Sequence, residues 1–140
     1  SGAMGAVEPV FTPTDTQAID GVDSTGKAIY VNLLDNVSAK LVRLQRQGGK
    51  WASREVPLPA NSSLGLVATD DGDTLYANVV GFTEPSRLMK AVDGGTPTVL
   101  ATAPAFFDGS KFEVAQHFAT SKDGTKVPYF VIRPKGAKKP

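Results

Sequence analysis

An all-β fold is predicted by three features of the sequence. Short runs of apolar and β-branched residues recur along the chain, clusters of Gly, Asp, Asn and Pro separate them at regular distances, and no segment keeps a helical period over three turns. The 140 residues include 14 Gly and 10 Pro, and 41% apolar residues against 21% charged suffice for a buried core. That length accommodates one compact unit, not two cores of ordinary size.

The expected strands follow from the turns that bound them. Strands at 18–22 and 28–34 flank Ser24-Thr25-Gly26-Lys27. A strand at 39–45 ends at Gln47-Gly48-Gly49-Lys50, and a short one at 54–58 closes at proline. Strands at 64–69 and 75–81 flank Asp70-Asp71-Gly72-Asp73, while 88–92 and 98–102 flank Asp93-Gly94-Gly95. Two later strands, 113–120 and 126–133, form one long hairpin around Lys122-Asp123-Gly124. Glycine accepts the positive φ of tight hairpins, and Asp or Asn closes a turn through its own side chain.

An internal repeat organises these strands. Gly26-Lys27-Ala28-Ile29-Tyr30-Val31-Asn32 superposes on Gly72-Asp73-Thr74-Leu75-Tyr76-Ala77-Asn78, so Gly, Tyr and Asn coincide. After one more residue, Ala39-Lys40-Leu41-Val42-Arg43-Leu44 corresponds to Ser86-Arg87-Leu88-Met89-Lys90-Ala91. Four strands per unit of about 45 residues is the period of a β-propeller blade. The fold expected is a partial β-propeller of about two four-stranded antiparallel blades, with repeats at roughly 17–59 and 63–104, followed by a C-terminal β-hairpin. Propellers close with four to eight blades. Two alone leave outer faces and sheet edges open, including apolar residues of 28–34 and 75–81, so self-association is expected, with the hairpin exchanging between copies about a flexible approach at 106–110.

Composition excludes several functions. Fifteen Lys and Arg balance 14 Asp and Glu to a net charge of +1, which provides no field for steering phosphates or anionic lipid, so neither nucleic acid nor membrane is an expected partner. No apolar run approaches the roughly 20 residues of a membrane-spanning helix. Zero cysteines exclude a disulfide scaffold, a thiol nucleophile and a thiolate metal site, and fit cytoplasm and periplasm alike. Ser1-Gly2-Ala3-Met4 reads as the scar of tag removal, with residues 1–6 disordered and the natural protein expected to be longer.

Few residues are candidates for chemistry. The only histidine, His117, could pair with Asp108 or Glu113, but no serine is placed beside them and no Gly-x-Ser-x-Gly elbow occurs, so a partly buried strand histidine is expected. Asp70, Asp71 and Asp73 lack the ligand spacing and closing glutamate of a calcium loop and read as a hairpin turn. Trp51, Tyr30, Tyr76, Phe82, Phe106 and Phe107 are read as core, the repeated tyrosines packing between blades with the hydroxyl at a polar edge. Asn36-Val37-Ser38 and Asn61-Ser62-Ser63 fit a glycosylation pattern that matters only in a secretory setting. Lys135, Lys138 and Lys139 belong to a basic, breaker-rich run that reads as a solvated linker. No catalytic, cofactor or metal residue is assigned.

The segment Phe112-Glu113-Val114-Ala115-Gln116-His117-Phe118-Ala119-Thr120-Ser121-Lys122-Asp123-Gly124-Thr125-Lys126-Val127-Pro128-Tyr129-Phe130-Val131-Ile132-Arg133-Pro134-Lys135-Gly136 resembles the junction of the prolyl oligopeptidase family of serine peptidases. There a Ser-Lys-Asp-Gly-Thr-Lys-(Val/Ile)-Pro-x-Phe run marks the exit from the propeller into an α/β-hydrolase domain. Val31-Asn32-Leu33-Leu34-Asp35-Asn36-Val37 and Pro104-Ala105-Phe106-Phe107-Asp108 are similar to the end of that propeller. The resemblance implies that residues 7–104 are the last two of seven blades and that 105–140 form the junction hairpin and the start of the peptidase domain. It also implies that the catalytic serine, aspartate and histidine lie beyond Pro140, and that the chain is a non-catalytic piece of a peptidase cleaving after proline in short peptides. Its partners would be the parent hydrolase domain and, for the parent, the short peptides gated by the propeller. Oligopeptidase B, which cleaves after basic residues, shares the Asp-Gly-Thr-x-(Val/Ile)-Pro core, while Lys122 and Tyr129-Phe130-Val131-Ile132 favour the prolyl type. The alternative is an autonomous β-rich binding or assembly module.

Overall fold

The computed structural model describes residues 5–69 and 72–137. Gln17–Ser24 (β1), Ile29–Asp35 (β2), Ser38–Gln47 (β3) and Lys50–Val56 (β4) form one antiparallel four-stranded sheet in chain order. Ser62–Thr69 (β5), Thr74–Gly81 (β6), Arg87–Val92 (β7) and Thr98–Thr102 (β8) form a second sheet of the same topology. Phe112–Thr120 (β9) and Lys126–Pro134 (β10) form a separate antiparallel hairpin. The two repeats are thus two propeller-type blades, and the fold is all-β.

Turn chemistry explains one boundary that differs from expectation. Gly48 and Gly49 both take the left-handed conformation, with φ of 55° and 84°, and make a two-residue turn whose twist suits a hairpin. Lys50 therefore pairs at once with Gln47, and the strand expected at 54–58 runs from Lys50 to Val56 instead. β1 carries a bulge between Ile19 and Gly21, which leaves Asp20 outside the ladder and frees its carboxylate to accept from Asn32 Nδ2 at 2.8 Å.

Side chains on a strand alternate between faces, and β2 buries both. Tyr30 joins Ala28, Ala39, Leu41 and Val56 against Leu64, Leu75, Ala77, Val79, Met89 and Ala91 of the second sheet, forming the main core between the blades. Val31, Leu33 and Leu44 pack on the opposite face with Val10, Phe11 and Trp51. The first strand segment expected to lie open, 28–34, is therefore covered on both sides, because residues 10 and 11 cross its outer face. Among the described residues nothing comparable covers the outer face of the second sheet, where Leu88 is 42% and Val92 50% exposed.

The hairpin lies at the end of the blades where β2 turns into β3 and β6 into β7. Gln116 Nε2 donates to the Asn36 carbonyl at 2.5 Å, and the Phe130 ring meets Phe82 with centroids 4.8 Å apart. A single 3₁₀ turn, Gly109–Lys111, precedes β9 and is capped by Asp108. A Cβ on residue 109 would run into the Thr83 carbonyl, so glycine lets this turn lie directly against the β6–β7 loop.

Candidate functional site

The most developed polar cluster lies between the blades, at the rim formed by the β1–β2, β5–β6 and β7–β8 turns. Asp73 follows Gly72 at the start of the second repeat, and its side chain is fully buried. One carboxylate oxygen accepts from Tyr30 Oη at 2.7 Å and Thr25 Oγ1 at 3.1 Å. The other accepts from Arg43 Nε at 2.8 Å and pairs with Arg43 Nη2. Arg43 Nη1 donates to Gln45 Oε1 at 2.9 Å. Every donor comes from the first blade and the acceptor from the second, so the cluster is a clamp across the blade interface.

The local sequence explains how these groups meet. Tyr30 and Arg43 are direct cross-strand partners on β2 and β3, which puts phenol and guanidinium side by side on one face. Thr25 sits in the β1–β2 turn, where its hydroxyl also accepts from the Ala28 amide at 3.1 Å. The turn after β7 completes the rim: Arg54 Nη2 donates to the Asp93 carbonyl at 2.7 Å, and Lys27 Nζ lies 3.7 Å from the Asp93 carboxylate. Gly94 has φ of 63°, and a Cβ there would strike Arg43 and Arg54, so a glycine is required where the second blade's turn touches both arginines.

Burial and pairing set the protonation states. Burial, reinforced by the Asp73 carboxylate, pushes the Tyr30 phenol from 10.0 up to about 12. Burial opposes the charge on Asp73, but hydrogen bonds from Tyr30 and Arg43 and the guanidinium charge outweigh it and hold the carboxyl below its ordinary value. The same balance leaves Arg43 more firmly protonated than usual, its own burial being outweighed by Asp73. A charge-matched, fully donated carboxylate beside a neutral phenol presents no free lone pair and no activated nucleophile. The chemistry of this cluster is cohesion between blades.

Nearer the first strand, Asn32 is 3% exposed. Its amide donates to Asp20 and, across the interface, to the Leu64 carbonyl at 3.1 Å. Its Oδ1 finds no partner among the described residues.

The other sequence candidates are dispersed. His117 is exposed on β9, where a partly buried histidine was expected, because the two-stranded hairpin has no cover at that point. It stacks on Tyr129 with ring centroids 5.5 Å apart. Its two candidate carboxylates are engaged elsewhere: Asp108 accepts from Ser110 N at 3.2 Å, and Glu113 accepts from Arg133 Nε at 2.6 Å. Tyr30 is fully buried with its hydroxyl at the polar rim, as the packing reading holds, and Trp51 is half-buried against the outer face of the first blade. Phe82, Phe106 and Phe107 are not core: they are 45%, 96% and 54% exposed. They sit on loops at the hairpin end of the blades, where the hairpin only partly covers them: Phe82 meets Phe130 and Phe107 meets Phe112. Tyr76 is half-buried.

Asn36 and Asn61 both take positive φ, 47° and 53°, and so serve as left-handed turn residues. Lys135 is exposed beyond β10. Asp70, Asp71, Lys138 and Lys139 lie outside the described residues. Sequence reading missed the Arg43–Asp73 pair. The signal was present in the repeat, where Lys27 stands opposite Asp73 and Arg43 opposite Lys90: the cation recurs on the face while the turn residue changes sign.

No protein-family model matches the chain. It is 39% identical over 137 residues to an uncharacterized peptidase, y4nA, of Sinorhizobium fredii, a match covering 94% of this chain and 19% of that protein. It is 25% identical over 120 residues to a prolyl endopeptidase of Elizabethkingia miricola, covering 84% of this chain and 17% of the relative. A structure of a post-proline cleaving enzyme from Rickettsia typhi superposes with a TM-score of 0.74 at 26% identity, over 91% of this chain and 19% of that one. The chain thus spans about a fifth of the length of the relatives it matches. Covered nearly end to end by peptidases in sequence and by a post-proline cleaving enzyme in structure, the chain is consistent with a fragment of a prolyl oligopeptidase-family protein.

Proposed function

We propose that this chain is the final two-blade section of a propeller that gates a prolyl oligopeptidase-type serine peptidase, with β9 and β10 leading into the hydrolase domain. The observation that carries this reading is the asymmetry of coverage, 94% of this chain against 19% of the Sinorhizobium fredii peptidase. A section of that size contributes wall and gate, and the reacting groups belong to the rest of the parent. The dispersal of His117, Asp108 and Glu113 supports the same division, since a triad needs base, orienter and nucleophile within hydrogen-bond reach.

The purified 14.7 kDa chain is accordingly expected not to hydrolyse a chromogenic Gly-Pro substrate. Turnover that follows this species through purification and is abolished by an active-site serine reagent would overturn that. The gate is tested in the longer protein carrying this segment. A short proline-containing peptide should be cleaved, and the same peptide held within a folded protein should be spared; equal rates on both would remove the gating role.

A further inference from the structure

The uncovered face of the second blade repeats the donor side of the clamp. Tyr76 and Lys90 are direct cross-strand partners on β6 and β7, as Tyr30 and Arg43 are on β2 and β3. Asn78 pairs with Leu88 as Asn32 pairs with Leu41. On β6 the side chains of Leu75, Ala77 and Val79 face the first blade, so Tyr76, Asn78 and Val80 point away from it. Lys90 Nζ lies over the Tyr76 ring at 6.0 Å from its centroid. In the first blade the corresponding phenol donates to Asp73 and the cation is paired with it; among the described residues no carboxylate reaches Tyr76 or Lys90.

We propose that this face receives a neighbouring β-sheet whose hairpin turn carries an acidic residue directly after a glycine, and that its carboxylate seats between Tyr76 Oη and Lys90 Nζ. This rests on the reading of the chain as part of a longer propeller, and it adds to that reading the chemistry of the joint. The occupant is not a second copy stacked in the same register. The position equivalent to Asp73 in the first blade is Lys27, which would bring an ammonium against Lys90, and the outer face of that blade is already covered by Val10 and Phe11. A carboxylate matches both donors, whereas a like charge at that spot is repelled.

The test uses the full-length protein that carries this segment, treated with a carbodiimide that joins an amine to a carboxylate in contact with it. Lys90 is expected to couple to an Asp or Glu outside residues 1–140 that follows a glycine, and peptide mass spectrometry identifies it. Lys90→Arg should lose this cross-link and keep the melting temperature. Lys90→Glu should lower the melting temperature, and reversing the identified acid to Lys should restore it.

Coupling of Lys90 only within residues 5–137, or failure of the charge reversal to restore stability, overturns the proposal. So does coupling between copies, detected by mixing isotopically light and heavy protein. Turnover of the Gly-Pro substrate by the same full-length preparation reports separately on the peptidase reading, so an inactive protein with the expected cross-link would sink that reading and leave this one standing.

Discussion

The two blades share a strand plan, yet equivalent residues lead different lives in them. Leu41 is fully buried, and its counterpart Leu88 is 42% exposed. Tyr30 is sealed with its hydroxyl on Asp73, whereas Tyr76 is half-buried beneath a lysine. Both pairs occupy the same register on the same strands. What separates them is the neighbour: the first blade has the second against one face and residues 10 and 11 against the other, and among the described residues the second blade has only the first against its faces. Burial in this fold is thus a property of stacking order, which a strand's own residues prepare for but do not decide.

The sharpest way to break the comparison is at the clamp. Asp73→Ala leaves Arg43 buried without its counter-charge and should cost about 3–5 kcal/mol, whereas Lys90→Ala on the open face should stay within about 0.5 kcal/mol. Urea unfolding of the two variants measures both, and similar losses would mean that the clamp is not the stronger joint. Next in size is the leucine pair. Leu41→Ala should cost about 2–5 kcal/mol through lost burial and a cavity, and Leu88→Ala under about 1 kcal/mol because much of that side chain is already in water.

Tyr30 sharpens the contrast through pH. Its phenol is held neutral in the fold, so its contribution is complete below its ordinary value of 10.0 and is lost as pH rises from there through about 12. Two pH units correspond to roughly 2–3 kcal/mol. Unfolding free energies measured across that window should fall for the parent chain and fall less for Tyr30→Phe. The latter should itself cost about 1–2 kcal/mol near neutrality, because Asp73 loses a donor. Asp73 acts with the opposite sign: its contribution is present above 3.8 and disappears as pH drops through its depressed value.

The smallest effect lies away from the interface. Val37 holds φ of 62° in the two-residue β2–β3 turn while 52% exposed, a conformation that a β-branched residue adopts only under strain. Val37→Gly should stabilise the chain by about 1 kcal/mol. A melting temperature unchanged or lowered would show that the strain is offset by contacts of the valine side chain.

The strands were legible because turn residues punctuate them: Gly48-Gly49, Gly72 and Asp93-Gly94 mark the ends of runs that pair in the structure. The blade topology was legible because Gly, Tyr and Asn recur at one spacing. The fate of the aromatics was less so. Phe82, Phe106 and Phe107 read as core on hydrophobicity alone, yet they sit on loops whose exposure depends on what else lies over that end of the blades. The cover over the first blade was also hidden, since Val10 and Phe11 lie between Pro9 and Pro13 in a stretch with no alternating pattern. The clamp combined a visible part with a hidden one. The recurrent Tyr and cation were plain in the repeat, but only the fold shows that the acid opposite Tyr30 comes from the next repeat, 43 residues along the chain.

That long reach ties the fate of one sheet to the synthesis of the next. Until residue 73 is in place, the first blade has all four strands but no anion for Arg43 and no acceptor for Tyr30, and the apolar face around Leu41 stays wet. Such a half-made blade has little reason to stay folded, because the apolar face that the second blade should bury remains in water. Ordering should therefore pass along the chain as a relay in which each blade becomes rigid when its successor's turn arrives. A cut between the blades would loosen the first even though every strand of it remained intact.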